Sequence, residues 1–163
     1  MAEDTTNGRT LVLERVFDAP VEKLWAAWTE PEQISKWWGP KDFGSPAADN
    51  KIDLRVGGKC ILCMLTPEGQ KTYSGGIYQE IVPHKKIVIT DNFMDAEGNV
   101  ISATAYGMPA DFPHEMLVTV TFEDLDGKTK LTIKHEGLPE GEMSDMTSAG
   151  WNESLDKLVD SLK

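Results

Sequence analysis

Hydrophobic residues follow two different periods along this chain, and the changes between them mark the predicted elements. Residues 10–17 (TLVLERVF) are rich in β-branched and apolar side chains, which predicts a first strand. Val21, Leu24 and Trp28 then recur on one face at helical spacing. Pro20 precedes them, at a position where a helix does not need the missing N–H. The chain is therefore predicted to begin as a strand followed by a helix.

A second short helix and a loop precede the main run of strands. Residues 29–32 (TEPE) have the pattern of a capping box and predict a helix that continues to about Lys36. Residues 39–49 are rich in Gly, Pro and Ala and are interpreted as a loop. From residue 50 the pattern becomes strand-like, with turns at segments that contain Gly or Pro. The predicted strands are residues 50–56, 59–65, 73–82, 85–93, 116–123 and 128–136.

The last predicted element is a long amphipathic helix over residues 144–162. Its apolar face is formed by Trp151, Leu155, Leu158, Val159 and Leu162. Six consecutive strands joined by short turns must pair antiparallel, and a sheet of that size needs a cover on one face. The sequence therefore predicts an α+β fold. A seven-stranded antiparallel curved sheet wraps around the C-terminal helix, and two short helices lie between strands one and two. We expect one domain over residues 10–163, with residues 1–9 as a flexible tail.

Composition and charge narrow the range of functions. The chain has 163 residues and a net charge of −11. No basic face is available to neutralise phosphates, which excludes nucleic acid and disfavours anionic membrane surfaces. The polar N-terminus lacks the apolar core of a signal peptide, and no apolar run approaches the roughly 20 residues that span a bilayer. We therefore expect a cytoplasmic protein with no nucleic-acid or membrane partner.

The sequence contains no motif for a metal, a nucleotide or covalent catalysis, so we expect no cofactor and assign no catalytic residue. Cys60 and Cys63 form a CxxC, but it lies inside an apolar strand, where residues three apart point to opposite faces. Zinc would need two further ligands, and the three histidines lack metal-site spacing. We interpret both cysteines as structural.

Four segments occur together in an order known from one family. They are FDAPVEKLWAAWTEPEQISKWWGP at residues 17–40, DLRVGG at 53–58, a GxY at 76–78 and GWNESLDKL at 150–158. With these motifs the chain resembles the activator-of-heat-shock-protein-90-ATPase homology family, which belongs to the START-like (SRPBCC) superfamily. The resemblance extends from about Thr10 to Leu162. It implies a helix-grip fold with a hydrophobic cavity between the sheet and the last helix.

Three polar side chains share a face with apolar ones on the predicted inner side of the sheet. They are Arg15 in the first strand, Asp91 in the fifth and His135 in the seventh. Since lysines occupy the opposite face of the seventh strand, we expect His135 to point inward. Two interpretations remain. These residues orient a ligand, with Asp91 or His135 acting as an acid or base, or they are satisfied by one another and by nearby backbone.

Apolar residues complete the predicted cavity. One of the adjacent Trp37 and Trp38 is expected at the cavity mouth, with the other in the core. Residues 99–114 are too long for a hairpin turn and are interpreted as a lid. The candidate ligand-binding residues are Trp37, Met64, Phe93, Tyr106, Met116, Val118, His135, Trp151 and Leu155.

Three functions fit this pattern. The preferred one is binding of a small hydrophobic or amphipathic ligand in a cavity of about 300–1,000 Å³ between sheet and helix. The second is a chaperone-associated or other protein-interaction module without a ligand, which predicts a filled interior and a large exposed patch. The third is a cyclase- or hydrolase-like enzyme, which predicts two ionisable side chains that converge in the cavity. An enzyme is the least favoured of the three.

Overall fold

The computed structural model describes residues 9–106, 115–138 and 142–162. In these ranges the chain forms seven strands, three α-helices and two short 3-10 helices. The strands are β1 (Arg9–Phe17), β2 (Lys51–Ile52), β3 (Lys59–Leu65), β4 (Lys71–Val82), β5 (Lys86–Met94), β6 (Met116–Asp124) and β7 (Thr129–Leu138). The α-helices are α1 (Val21–Thr29), α2 (Pro31–Ile34) and α3 (Glu142–Ser161), and the 3-10 helices are Ala47–Asp49 and Ala103–Tyr106.

All seven strands belong to one antiparallel sheet, in the order β1-β7-β6-β5-β4-β3-β2. Consecutive strands from β2 to β7 are neighbours, and β1 pairs with β7 at the far edge. The two short helices lie between β1 and β2, and α3 follows the last strand. The predicted α+β class and the helix-grip arrangement are confirmed.

The inner face of the sheet follows the predicted alternation. In β6 every second residue is buried, and in β7 the alternate positions from Thr129 to His135 are buried as well. The second half of α3 packs against this face through Leu155 and Leu158, which are almost fully buried. Within the described ranges, none of the helices combines the length and the apolar composition needed to cross a bilayer.

Two local predictions were wrong. The predicted strand over residues 50–56 is limited to Lys51–Ile52, because the following residues form a turn in which the Arg55 N–H donates to Asp53 O. The capping box is absent. Thr29 ends α1, and its hydroxyl donates to Trp25 O at 2.8 Å instead of capping α2. Pro31, which has no N–H to donate, starts α2 without a side-chain cap.

Two adjacent glycines allow three strands to approach closely at the centre of the sheet. A Cβ atom on Gly75 would lie 1.9 Å from Cys60 O in β3, and one on Gly76 would lie 2.0 Å from Thr90 O in β5. Backbone atoms cannot give way by that amount without breaking the ladder. Farther along β4, the pairing with β5 shifts register between Tyr78 and Glu80. A bulge of this kind bends and twists a strand, which helps the sheet to curve.

Replacement of Gly76 by alanine should therefore be strongly destabilising. We expect Gly76→Ala to lower the free energy of unfolding by about 3 kcal/mol or more, measured by urea denaturation. Gly44→Ala is the matched control, because the nearest atoms to its added Cβ lie at 3.9 Å and 4.0 Å, in ordinary contact. Equal losses in the two variants would contradict the close-approach argument.

Candidate functional site

A cavity of about 470 Å³ lies between the inner face of the sheet and the first half of α3. The helix contributes Thr147, Gly150, Trp151 and Ser154 to its lining. Immediately after Ser154, the helix places Leu155 and Leu158 in the core. The helix therefore closes the interior with its C-terminal half and leaves space beneath its N-terminal half.

The strands supply most of the cavity wall, and its character is apolar. The lining side chains of β3 alternate with outward-facing ones, so Cys60, Leu62 and Met64 face inward and Cys63 does not. The apolar lining from β5 and β6 is Ile87, Ile89, Phe93, Met116, Val118 and Val120. The polar lining includes Ser74, Tyr78, Thr90, Asp91, Asn92 and His135.

Three indole rings form an aromatic wall, defined here as Trp28, Trp38 and Trp151. Trp28 stacks on Trp151 with ring centroids 6.0 Å apart at 25°, and Trp38 meets Trp151 edge-on at 5.7 Å and 87°. The indole N–H groups of Trp28 and Trp38 are buried without an acceptor among the residues that the structure describes. They are packed among other indole rings, whose π-faces are weak acceptors. The wall therefore presents mainly flat, apolar surface.

His135 connects α3 to the sheet. The indole N–H of Trp151 donates to Nδ1 of His135 at 3.1 Å, and Nε2 of His135 lies 3.1 Å from Oδ2 of Asp91. An indole nitrogen can only donate, so Nδ1 must be the unprotonated nitrogen and the proton of a neutral ring lies on Nε2. The Nε2–H is poorly aligned with the carboxylate, so this contact is more electrostatic than a well-formed hydrogen bond.

This arrangement limits what His135 can do chemically. Asp91 and His135 meet at the separation expected of an acid–base pair. However, Nδ1 accepts from Trp151, and Nε2 is buried against Asp91, so neither nitrogen is free to take a proton from a molecule in the cavity. His135 as a whole is 4% exposed. The geometry is suited to holding Asp91 and Trp151 in place.

Cys60 and Tyr78 add two neutral groups to the cavity lining. The pKa of the Cys60 thiol is raised to about 11, mainly by burial; a hydrogen bond with Tyr78 opposes the rise, and the nearby Asp91 carboxylate adds to it. Burial likewise raises the pKa of Tyr78 far above its usual value. A thiol that stays protonated is a poor nucleophile, so Cys60 is not activated for covalent chemistry.

Polar side chains of α3 hold the loop that forms one rim of the cavity. Ser154 donates its hydroxyl hydrogen to Gly39 O at 2.7 Å in a buried contact. The ammonium of Lys157 donates to Pro40 O at 3.1 Å and to Phe43 O at 2.9 Å, with Trp38 O at 3.5 Å. We call residues 38–43 the rim loop. These contacts fix the rim loop, and the Trp38 indole with it, relative to α3.

Six of the nine predicted site residues line the cavity. They are Met64, Phe93, Met116, Val118, His135 and Trp151. Trp37 is fully buried, and its indole donates to Ala27 O, while the adjacent Trp38 takes the lining position. Leu155 lies one residue beyond Ser154, on the core side of α3.

The remaining predicted polar and lid residues lie outside the cavity lining. Tyr106 packs against Phe93 and donates its hydroxyl hydrogen to Met94 O, beside the cavity. Arg15 pairs with Asp156 at 2.7 Å and with Asn152, on the exposed flank of α3 that faces β1. Of the predicted lid, residues 99–106 include a bridge between Met94 and Val100 and a short 3-10 helix, and residues 107–114 lie outside the described residues.

Sequence reasoning missed several lining residues. It assigned Trp28 to the core stripe of α1, where the side chain does lie, but the far edge of that ring also reaches the cavity. Cys60 and Tyr78 could have been found by extending strand alternation to β3 and β4. Among the described residues there is no group of three His, Cys, Asp or Glu side chains able to hold a metal ion.

Removal of the Lys157 ammonium should loosen the rim loop. Lys157→Met keeps the length of the apolar stem but leaves the carbonyls of Pro40 and Phe43 without their donor. We expect the free energy of unfolding to fall by about 1–3 kcal/mol in urea denaturation. Lys36→Met, at an exposed position just after α2, should change it by less than about 0.5 kcal/mol. An unchanged Lys157→Met variant would contradict this role.

The Cys60 thiol should react slowly with alkylating reagents in the native protein. A rise in pKa from 9.0 to about 11 leaves about a hundredfold less thiolate at pH 8. Peptide mass spectrometry after iodoacetamide treatment can follow Cys60 alone, with the urea-unfolded chain as control. The rate should increase as the pH approaches 11. Native labelling as fast as in urea would contradict a protonated, buried thiol.

Comparison with known proteins agrees with this architecture. Residues 18–163 match the sequence profile of the family described as Activator of Hsp90 ATPase homolog 1-like protein. A crystal structure of a protein from Chromobacterium violaceum is 32% identical with a TM-score of 0.76, covering 94% of this chain and 96% of that one. The AHSA1 protein of Silicibacter pomeroyi is 27% identical with a TM-score of 0.75, covering 94% and 97%.

A solution structure of a protein from Arthrobacter aurescens is 26% identical with a TM-score of 0.74, covering 94% of this chain and 85% of that one. No curated protein shows a significant match to this sequence. The profile match covers most of the chain, and the structural relatives share its whole arrangement of sheet and helix. This chain therefore belongs to the Activator of Hsp90 ATPase homolog 1-like family.

Proposed function

We propose that the protein binds a small hydrophobic or amphipathic molecule in the cavity between its sheet and α3. The observation that carries this proposal is the space of about 470 Å³ beneath the first half of the helix. That volume lies within the range of about 300–1,000 Å³ typical of small-molecule sites. A mainly apolar wall with a few converging polar groups is the usual composition of such sites.

The chemistry of the polar groups favours binding over catalysis. Nδ1 of His135 accepts from Trp151, and Nε2 is buried beside Asp91. Cys60 is held as a neutral thiol by burial. His135 therefore offers no free nitrogen to act as a general base, and Cys60 offers no thiolate to act as a nucleophile, whereas the Asp91 carboxylate can orient a ligand.

A protein-interaction module without a ligand receives less support. That alternative requires a packed interior and a large exposed apolar patch. Among the described residues, the exposed large apolar side chains are spread over separate parts of the surface. They are Val12 and Val16 on β1, Leu54 and Val56 in the turn after β2, Val100 near the 3-10 helix and Leu125 in the turn after β6. Scattered apolar residues of this kind are ordinary on soluble proteins.

A cavity-filling substitution tests the proposal directly. Ile89 lines the cavity, and its neighbour Val88 points to the other face of β5. Titration of the neutral dye N-phenyl-naphthylamine, which fluoresces in apolar sites, should show saturable binding to the unmodified protein. Ile89→Trp should weaken that binding by at least about tenfold, because the new indole occupies the space of the ligand.

Val88→Trp is the matched control. It introduces the same side chain on the same strand, and it should leave the dye affinity within about twofold. Circular dichroism of both variants verifies that the sheet is intact. Absence of saturable dye binding to the unmodified protein, or equal affinity in the two variants, would overturn the proposed site.

A further inference from the structure

The charge balance of the cavity lining distinguishes between classes of hydrophobic ligand. Asp91 is the single carboxylate among the described lining residues, which include neither lysine nor arginine. Residues 107–114 and 139–141, outside the described structure, contain no lysine or arginine in the sequence either. A ligand with a carboxylate or phosphate head group would therefore enter this cavity without a cation to pair with, which is costly in an apolar environment.

His135 does not supply the missing cation. A charged imidazolium would carry a proton on Nδ1, directly facing the indole N–H of Trp151 at 3.1 Å. Two donors would then be opposed in a buried contact, and neither could be satisfied. The Trp151 contact therefore leaves Nδ1 as an acceptor, so His135 brings no cation into the cavity.

The Asp91 carboxylate is accessible from the cavity. Its side chain is 27% exposed and belongs to the lining, while His135 beside it is almost fully buried. No lysine or arginine of the described part of the chain forms an ion pair with it, and the nitrogen beside it is Nε2 of His135, at 3.1 Å. A partly buried carboxylate of this kind gains most from a ligand that brings a positive charge and N–H donors.

Building on the proposed ligand-binding function, we propose that the ligand is a hydrophobic amine, whose protonated nitrogen binds Asp91 and whose apolar or aromatic body lies along the aromatic wall. Only the width of the His135 ring separates Asp91 from the Trp151 indole. The negative faces of indole rings attract cations, which adds to the attraction of the carboxylate. The net charge of −11 also favours the approach of a cation over that of an anion.

Three ligands with the same chain and different head groups test this inference. Decylamine, decanol and decanoate are used to displace N-phenyl-naphthylamine from the unmodified protein at neutral pH. We expect decylamine to bind at least about tenfold more tightly than decanol, and decanoate to bind most weakly. Equal affinity for decylamine and decanol, or tightest binding of decanoate, would overturn the inference while leaving the cavity itself supported.

The variant Asp91→Asn tests whether the preference for decylamine depends on this carboxylate. This variant should bind decylamine no more tightly than decanol, with the decanol affinity within about twofold of the unmodified protein. Asp156→Asn is the control that removes the same charge elsewhere, because Asp156 is exposed, pairs with Arg15 and does not line the cavity. It should retain the preference for the amine, and loss of the preference in both variants would show a general charge effect that contradicts binding at Asp91. If none of the three ligands displaces the dye and the dye itself does not bind, the proposed function fails as well.

Discussion

The structure depends on polar contacts that hold α3 beside the curved sheet at a fixed distance. Lys157 and Ser154 bind carbonyl groups of the rim loop, and Trp151 donates to His135 on β7. Apolar packing alone has no direction, and it would favour collapse of the helix onto the sheet. Directional hydrogen bonds at these points let Leu155 and Leu158 complete the core while the first half of the helix stands away from the strands. The cavity is the space that remains between the first half of the helix and the strands.

The curvature of the sheet also helps to keep its strands apart from the first half of the helix. The two adjacent glycines in β4 let β3 and β5 approach where any side chain would collide with a carbonyl oxygen. The register shift that follows adds a local bend. A flat sheet would lie against the helix along its whole length, whereas a bent sheet can contact it at one end and diverge from it at the other.

The contacts that set the position of the helix also determine the chemistry of the cavity. Because Trp151 uses its N–H on His135, Nδ1 of the imidazole ring is fixed as an acceptor and Nε2 is turned towards Asp91. Because Cys60 is buried beside that carboxylate, its thiol remains protonated. Among the described residues, the interior thus combines aromatic and aliphatic walls with one accessible carboxylate, a composition suited to recognition by shape and charge. The Trp151–His135–Asp91 contact forms where three elements meet, since α3, β7 and β5 each contribute one member.

The sequence by itself determined the order of elements, the fold class and the faces of the central strands. The alternation in β6 and β7 and the helical spacing in α3 are local properties, and turn residues mark most of the boundaries between strands. Local patterns were insufficient for residues 53–56, where a turn replaces the predicted strand, and at Thr29, whose hydroxyl bonds back to its own helix. Only the tertiary structure decided which of the adjacent Trp37 and Trp38 faces the cavity, because Trp37 found an acceptor at Ala27 O in the core. It also decided that Asp91 and His135 meet, since their strands are separated by β6 and the approach of their side chains depends on the bend of the sheet.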